Sequence, residues 1–167
     1  MSKISTKELA ATAIMGALVT VATMIFIPFA PTSGFFNLGD AIVVTTALLF
    51  GPIVGAMAGG IGSALADIIL QYAHFAPYTL VIKGLEGFIV GYIGNPKNNP
   101  STTRLIIAWI VGGVTIVVGY WIAEAFFMGY GIAAATAEII INVPQVLFAV
   151  LGIPLSRAVR DRLKSFF

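Results

Sequence analysis

The chain has 167 residues, of which 59% are hydrophobic and 10% charged, and its mean hydropathy is +1.00. A soluble domain carries about 25% charged residues, so this composition describes an integral membrane protein whose main solvent is the bilayer. The absence of cysteine excludes a disulfide scaffold, a thiolate metal site and a cysteine nucleophile. The pI near 9.0 rests on nine basic residues that lie apart from the aromatics, which points to membrane topology and away from nucleic-acid binding.

A spanning helix needs roughly 20 apolar residues, with a range of about 17–25. The first candidate runs from about Leu9 to Ile27 and ends at Pro28. It is longer than a signal-peptide core and no small-x-small cleavage site follows it, so it is expected to be retained. Phe29 to Asp40, rich in Pro, Gly and aromatics, reads as a structured loop. A second span runs from about Ala41 into Gly51-Pro52, and a third from about Val54 to Tyr72. The fourth covers about Pro77 to Ile93 and is followed by a polar turn, Gly94 to Thr103. The fifth covers about Arg104 to Met128 and the sixth Ala133 to Leu155, leaving a basic amphipathic tail from Arg157 to Phe167. The expectation is an all-α integral membrane protein, a single six-helix transmembrane domain over residues 1–167.

Six spans put both termini on one side. That side receives Lys3, Lys7, Lys97, Arg104, Arg157, Arg160, Arg162 and Lys164, and the opposite loops receive no Lys or Arg. By the positive-inside rule both termini are expected to be cytoplasmic.

The ninth basic residue, Lys83, lies inside the fourth span with Glu86 three residues on. Charge at membrane depth is costly, faces a protein interior or watery cavity, and marks a substrate or ion path. At 1.5 Å per residue Lys83 lies roughly 9 Å below the outer end of its helix, with Glu86 about one turn deeper. Asp40 and Asp67 fall in the outer half as well, as does Glu124 in the fifth span. Glu138, Asn142 and Gln145 share one face of the sixth, spaced i, i+4 and i+7. All but Gln145 lie in the outer half, which describes a chamber open to the outside and plugged toward the cytoplasm.

Structural readings stand beside the functional ones. Lys83 either contacts a ligand or neutralises Asp67 or Glu86. Asp40 reads as an N-cap of the second helix, and Pro144 as a kink. Tyr78, Tyr120 and Trp121 fit an interfacial belt or a stacking wall for a flat ring. His74 stands alone, so no metal site is expected. The series Gly51, Gly55, Gly59 and Ala58, Gly62, Ala66 are small-residue ladders that let the second and third helices approach closely. Ala13 and Ala17 have the same spacing on the first. No nucleotide-hydrolysis or other catalytic motif is present, so active transport requires a partner or an ion gradient, and no cofactor is expected.

The strings Asn37-Leu-Gly-Asp-Ala41, Leu49-Phe-Gly-Pro-Ile-Val-Gly55, the Gly59 to Asp67 run and Ile82-Lys-Gly-Leu-Glu-Gly87 together resemble the S components of energy-coupling-factor (ECF) vitamin transporters. The resemblance extends over essentially the whole chain and is nearest to a hydroxymethylpyrimidine- or pyridoxine-type subgroup related to riboflavin-type S components. It implies a non-enzymatic, multi-pass subunit of the prokaryotic cell membrane that binds a small vitamin or precursor from outside. Its partners would be an ECF transmembrane coupling subunit and two ATP-binding subunits. It implies a pocket made by Lys83, Glu86, Tyr120, Glu124, Glu138 and Asn142 with Tyr78 nearby, a lid carrying Phe35, Phe36 and Asn37, and docking through Ala13 and Ala17. Two other readings of the residues are a stand-alone carrier and a membrane-embedded enzyme using Glu124 and Glu138 as acid and base.

Overall fold

A computed structural model describes residues 4–29, 34–94 and 100–162. Lys3, Lys97 and Lys164, residues 30–33 of the expected Phe29–Asp40 loop, half of the polar turn and the end of the basic tail lie outside the described residues. Among the described residues the architecture is α-helical apart from one two-stranded hairpin. The elements are α1 (Thr6–Thr23), β1 (Phe26–Phe29), β2 (Gly34–Asn37), α2 (Gly39–Phe50), α3 (Pro52–Ile69), α4 (Ala76–Gly94), α5 (Thr102–Ile122), α6 (Gly131–Ala149) and α7 (Gly152–Arg162). Three helical stretches are long and apolar enough to cross a membrane: Pro52–Ile69, Thr102–Phe127 and Gly131–Arg160.

Several boundaries move for identifiable reasons. α1 starts at Thr6 because Ser5 and Glu8 form a capping box, Glu8 N–H donating to Ser5 Oγ and Ser5 N–H to Glu8 Oε2. It ends at Thr23, and Phe26 and Ile27, expected to finish that helix, belong instead to the strand Phe26–Phe29. β1 pairs antiparallel with β2, with Phe26 opposite Asn37 and Pro28 opposite Phe35. Pro28 is tolerated because a two-stranded ribbon leaves each strand one free edge. α2 has 12 residues, about 18 Å at 1.5 Å per residue, too short to cross a hydrocarbon core of about 30 Å. Its first turn therefore opens inside the bundle, and the hairpin occupies the space above it.

The expected sixth helix breaks at Val150–Leu151. The N–H groups of Val150, Leu151 and Ile153 each reach back three residues instead of four, tightening the chain. Gly152 then packs on α2, where a Cβ would lie 2.8 Å from Ala41 O and 2.7 Å from Val44 Cβ. Val150 N–H bonds Leu147 O, which leaves Val146 O without its usual i+4 donor, and Trp109 Nε1–H on α5 donates to it at 2.8 Å.

The small-residue ladders join more partners than expected. Gly55 and Gly59 do face α2, through Ala47 and Val43, but they also meet the α4 backbone: their Cβ positions would lie 2.7 Å from Gly87 O and 2.9 Å from Lys83 O. The second ladder faces α1 and not α2, with a Cβ on Gly62 only 2.5 Å from Gly16 O. α3 is thus wedged among three helices, and its interface with α4 is the most extensive of the fold.

The bundle has two unlike ends. At one, Val44, Ala47, Leu48, Val90, Leu105, Ala108, Ala149 and Ile153 form a buried apolar cluster. Beneath it Arg104 Nε–H donates to Ile93 O near the end of α4, and Arg160 Nη2–H to Leu48 O near the end of α2. Cations there complement helix C-termini. The buried charges lie at the other end.

Candidate functional site

Five of the chain's seven acidic residues are buried: Asp40, Asp67, Glu86, Glu124 and Glu138 are each 1–3% exposed. Lys83, 2% exposed, is the one buried Lys or Arg among the described residues. Most of these groups surround a chamber between the hairpin and the ends of five helices. Its lining comprises Thr23, Gly34, Phe35 and Asn37, then Ser63 and Asp67 from α3, and Phe75, Thr79 and Lys83 in and just before α4. Tyr120 and Glu124 close it from α5, and Glu138, Asn142 and Gln145 from α6.

Local structure aims the acids inward. Glu124 continues the buried stripe Ile116–Tyr120 of α5. Immediately there the helix widens into a π-helical turn, Ala123–Phe127, with Met128 N–H donating to Ala123 O at 2.9 Å. Such turns frequently occur at functional sites. Glu138, Asn142 and Gln145 are buried together on α6, as their spacing requires. Outside the spanning helices, burial and then the carboxylates of Glu124 and Glu138 push the Tyr130 hydroxyl above its ordinary range.

The partner of Lys83 is Asp40, not Asp67 or Glu86. Lys83 Nζ donates to Asp40 Oδ1, and Gln145 Nε2–H donates to Asp40 Oδ2 at 2.8 Å. Gln145 Oε1 in turn accepts from both the backbone N–H and the side-chain Nδ2–H of Asn37, each at 3.0 Å. Asp40 is therefore not the N-cap expected of it: it lies in the first turn of α2, while Asn37 Oδ1 accepts from Gly39 N–H at 2.8 Å. Gln145, expected below the outer half, belongs to the chamber because short α2 brings Asp40 down to its level. This chain of contacts ties α4, α2 and α6 to the end of the hairpin.

Aromatic contacts seat the rest of the hairpin. Phe35 meets Phe26 at 5.2 Å and Tyr72 at 4.9 Å, and Phe36 meets Phe148 on α6 at 6.0 Å. At Gly34 a Cβ would lie 1.6 Å from Glu138 Oε1, so the strand backbone rests directly on that carboxylate. With the hairpin seated, the chamber's free volume is about 30 Å³, space for a water but not for a ring. Replacing Gln145 by Leu removes both bonds to Asn37 and is expected to speed ligand dissociation by about tenfold for roughly 1.4 kcal/mol of lost latch energy. Stopped-flow displacement measures this, and an unchanged off-rate rejects the latch.

Of the residues expected at the site, Phe35, Asn37, Lys83, Tyr120, Glu124, Glu138 and Asn142 line the chamber. Three do not. Glu86 is buried beyond it, its side chain near Gly112 of α5. Phe36 packs on Phe148, and Tyr78 borders an apolar groove with Val81, Ile122 and Phe127. Sequence reasoning left out Thr23, Gly34, Ser63, Phe75 and Thr79 as wall residues. Small hydroxyl and glycine positions carry no signal of their own in a membrane helix. Thr79 was nonetheless reachable, one helical turn before Lys83 on the same face. Among the described residues no group of three or more His, Asp or Glu side chains is placed to hold a metal. His74 Nε2 lies 3.0 Å from the Tyr130 hydroxyl.

On the far face of the bundle Ala13 and Ala17 are exposed. With Leu9, Gly16, Met57, Ile61 and Leu65 they line an apolar groove of about 350 Å³ between α1 and α3.

Comparison with known proteins gives a family. The model of the ECF-type riboflavin transporter S component matches residues 3–161. An uncharacterized protein from Pyrococcus woesei is 41% identical over 134 residues, 80% of this chain and 87% of that protein. A UPF0397 protein from Streptococcus gordonii is 38% identical over 89 residues, 53% of this chain, which spans about half (47%) of that relative's length. The thiamine precursor transporter HmpT of Lactococcus lactis subsp. cremoris is 27% identical over 143 residues, 84% of this chain and 80% of the relative.

Proposed function

The chain belongs to the family of S components of ECF-type riboflavin transporters, a family of membrane transport components and not of enzymes, and from that premise we propose that it is the substrate-capture subunit of an ECF-type vitamin importer. In this reading residues 1–167 form a single domain that crosses a prokaryotic cell membrane six times with both termini cytoplasmic. The arginines gathered at the apolar end support that orientation. The observation that carries the reading is the buried polar chamber, covered by an aromatic hairpin on one side and backed by an apolar plug on the other. A site so arranged suits a small molecule taken from one face, with the apolar cluster between it and the other.

The ligand is a small vitamin or precursor of the hydroxymethylpyrimidine or pyridoxine type. The name of the Lactococcus relative and the mixture of ring-bearing walls and carboxylates favour this choice. Lys83, Tyr120, Glu124, Glu138 and Asn142 contact it, Phe35 and Asn37 cover it, and Glu86, Phe36 and Tyr78 support those walls from behind. Release inside is driven by a coupling module of one membrane subunit and two ATP-binding subunits, which docks on the Ala13–Ala17 groove. Small residues allow a partner helix to approach closely there.

Reconstitution with a coupling module tests this. Ala17→Trp fills the groove and is expected to leave ligand affinity within about twofold while reducing ATP-driven uptake at least tenfold, more than 1.4 kcal/mol of docking energy. Uptake by the chain alone, or full uptake by the Trp variant, contradicts the proposal.

A further inference from the structure

The capture reading leaves one wall of the chamber unused. Thr23, Ser63 and Asp67 line it from α1 and α3 and are 3%, 1% and 3% exposed. Thr23 Oγ1, Ser63 Oγ and Asp67 Oδ2 are buried without a hydrogen-bond partner. Helix register brings them together. Gly16 packs on Ala58, and Thr20 Oγ1 donates to Gly62 O at 2.8 Å, so α1 and α3 run parallel, residue for residue. Thr23 therefore stands level with the turn of α3 that carries Ser63 and Asp67, which share a face at i, i+4. A Cβ at Gly39 would lie 2.1 Å from Thr23 Oγ1 and 2.9 Å from Asn37 Oδ1, which adds an amide oxygen to the same corner. The buried lysine, Lys83, is bonded to Asp40 and not to Asp67.

Both helices end at this corner. α1 stops at Thr23 and α3 at Ile69, just past Asp67, and neither has a basic residue in its last turn. Helix C-termini carry partial negative charge and favour cations, and inside membranes such ends coordinate sodium ions. Hydroxyl, amide and carboxylate oxygens are hard donors that suit hard cations. One carboxylate balances one positive charge, whereas a divalent ion would leave a net charge buried, which is costly. The free volume of about 30 Å³ admits a single small ion. We propose that Thr23, Ser63 and Asp67 form a binding site for one sodium ion, which ties the ends of α1 and α3 together beside the hairpin. The site calls on Asp67 alone as an anion, so protons on Glu124 and Glu138 leave it intact. It is also independent of which molecule the chamber captures.

Thermal melting of the full chain in phosphatidylcholine nanodiscs tests this, with sodium, potassium and choline chloride titrated at constant ionic strength and no vitamin present. Sodium chloride at roughly ten times its half-saturating concentration is expected to raise the midpoint by about 3–5 °C over choline. Potassium is expected to raise it less, because the larger ion fits the space poorly. Asp67→Asn is expected to lose the sodium response yet melt in choline at or above the parent, since no uncompensated carboxylate remains buried. Ser63→Ala is expected to keep the fold and raise the half-saturating sodium concentration about tenfold. A midpoint equal in sodium and potassium, or equal in all three salts as for a corner that holds only water, overturns the proposal. An undiminished sodium response in Asp67→Asn or in Ser63→Ala overturns it as well. Vitamin capture stands or falls separately, because no arm of the experiment contains a vitamin.

Discussion

Lys83→Met lowers the stability of the ligand-free protein by about 3–5 kcal/mol, the cost of leaving one partner of a buried ion pair uncompensated. At roughly 2–4 °C per kcal/mol for a chain of this size, the thermal midpoint falls by on the order of 10 °C. The reason is the position of Asp40, which is 1% exposed and whose Oδ1 has Lys83 as its cationic partner. The companion variant decides whether the effect is electrostatic. Asp40→Asn with Lys83→Met removes both charges and keeps an oxygen for the Gln145 amide. It is expected to recover most of the loss. Melting in nanodiscs without ligand reads both. A single variant as stable as the parent, or a double variant with additive losses, contradicts this account of the pair.

Gly87→Val is expected to be as damaging for a different reason. A Cβ at Gly87 would lie 2.2 Å from Gly55 O and 2.5 Å from Gly55 C, atoms of the α3 backbone that cannot rotate away. The helices must separate, at a cost at or above the roughly 3 kcal/mol that marks the upper range of ordinary overpacking. Separation also moves Ser63 and Asp67 on α3 away from Thr79 and Lys83 on α4, so ligand binding falls with folding. Gly84→Ala, three residues earlier, is the control: its Cβ would meet Ala56 O at 3.6 Å, an ordinary contact. Monodisperse yield and thermal midpoint are expected to collapse for Gly87→Val and to hold for Gly84→Ala. Equal behaviour of the two rejects close backbone approach as the organising feature of this interface.

The helices were legible because apolar run length is a direct readout of the bilayer, and breaks at Pro52 and in the Gly94–Thr103 turn are strong signals. The chamber was legible wherever a polar group was out of place: Lys83, Glu124, Glu138 and Asn142 stand in apolar helices and line it. Pairing was not legible. Lys83 has acidic candidates at several heights, and choosing Asp40 requires knowing that α2 is short and opens inside the bundle. The hairpin is not legible from Pro28, which as a helix terminator places the end of the first span and no strand. The signal available was two aromatic runs, Phe26–Phe29 and Phe35–Phe36, separated by Pro31-Thr-Ser-Gly34. Glu86 misled for a related reason. A three-residue step rotates about 300° around a helix, close enough to Lys83 to share its side but one turn deeper, where Gly112 lets α5 close over it.

Mass spectrometry of small molecules co-purified with the detergent-solubilised chain tests most directly the proposal that it captures a vitamin-type molecule beneath its hairpin. The account predicts a small nitrogen heterocycle with amine or hydroxymethyl groups, retained by the parent and lost from a Glu124→Gln/Glu138→Gln variant that remains folded. A preparation that carries only lipid, or whose bound molecule is retained unchanged by that variant, contradicts it.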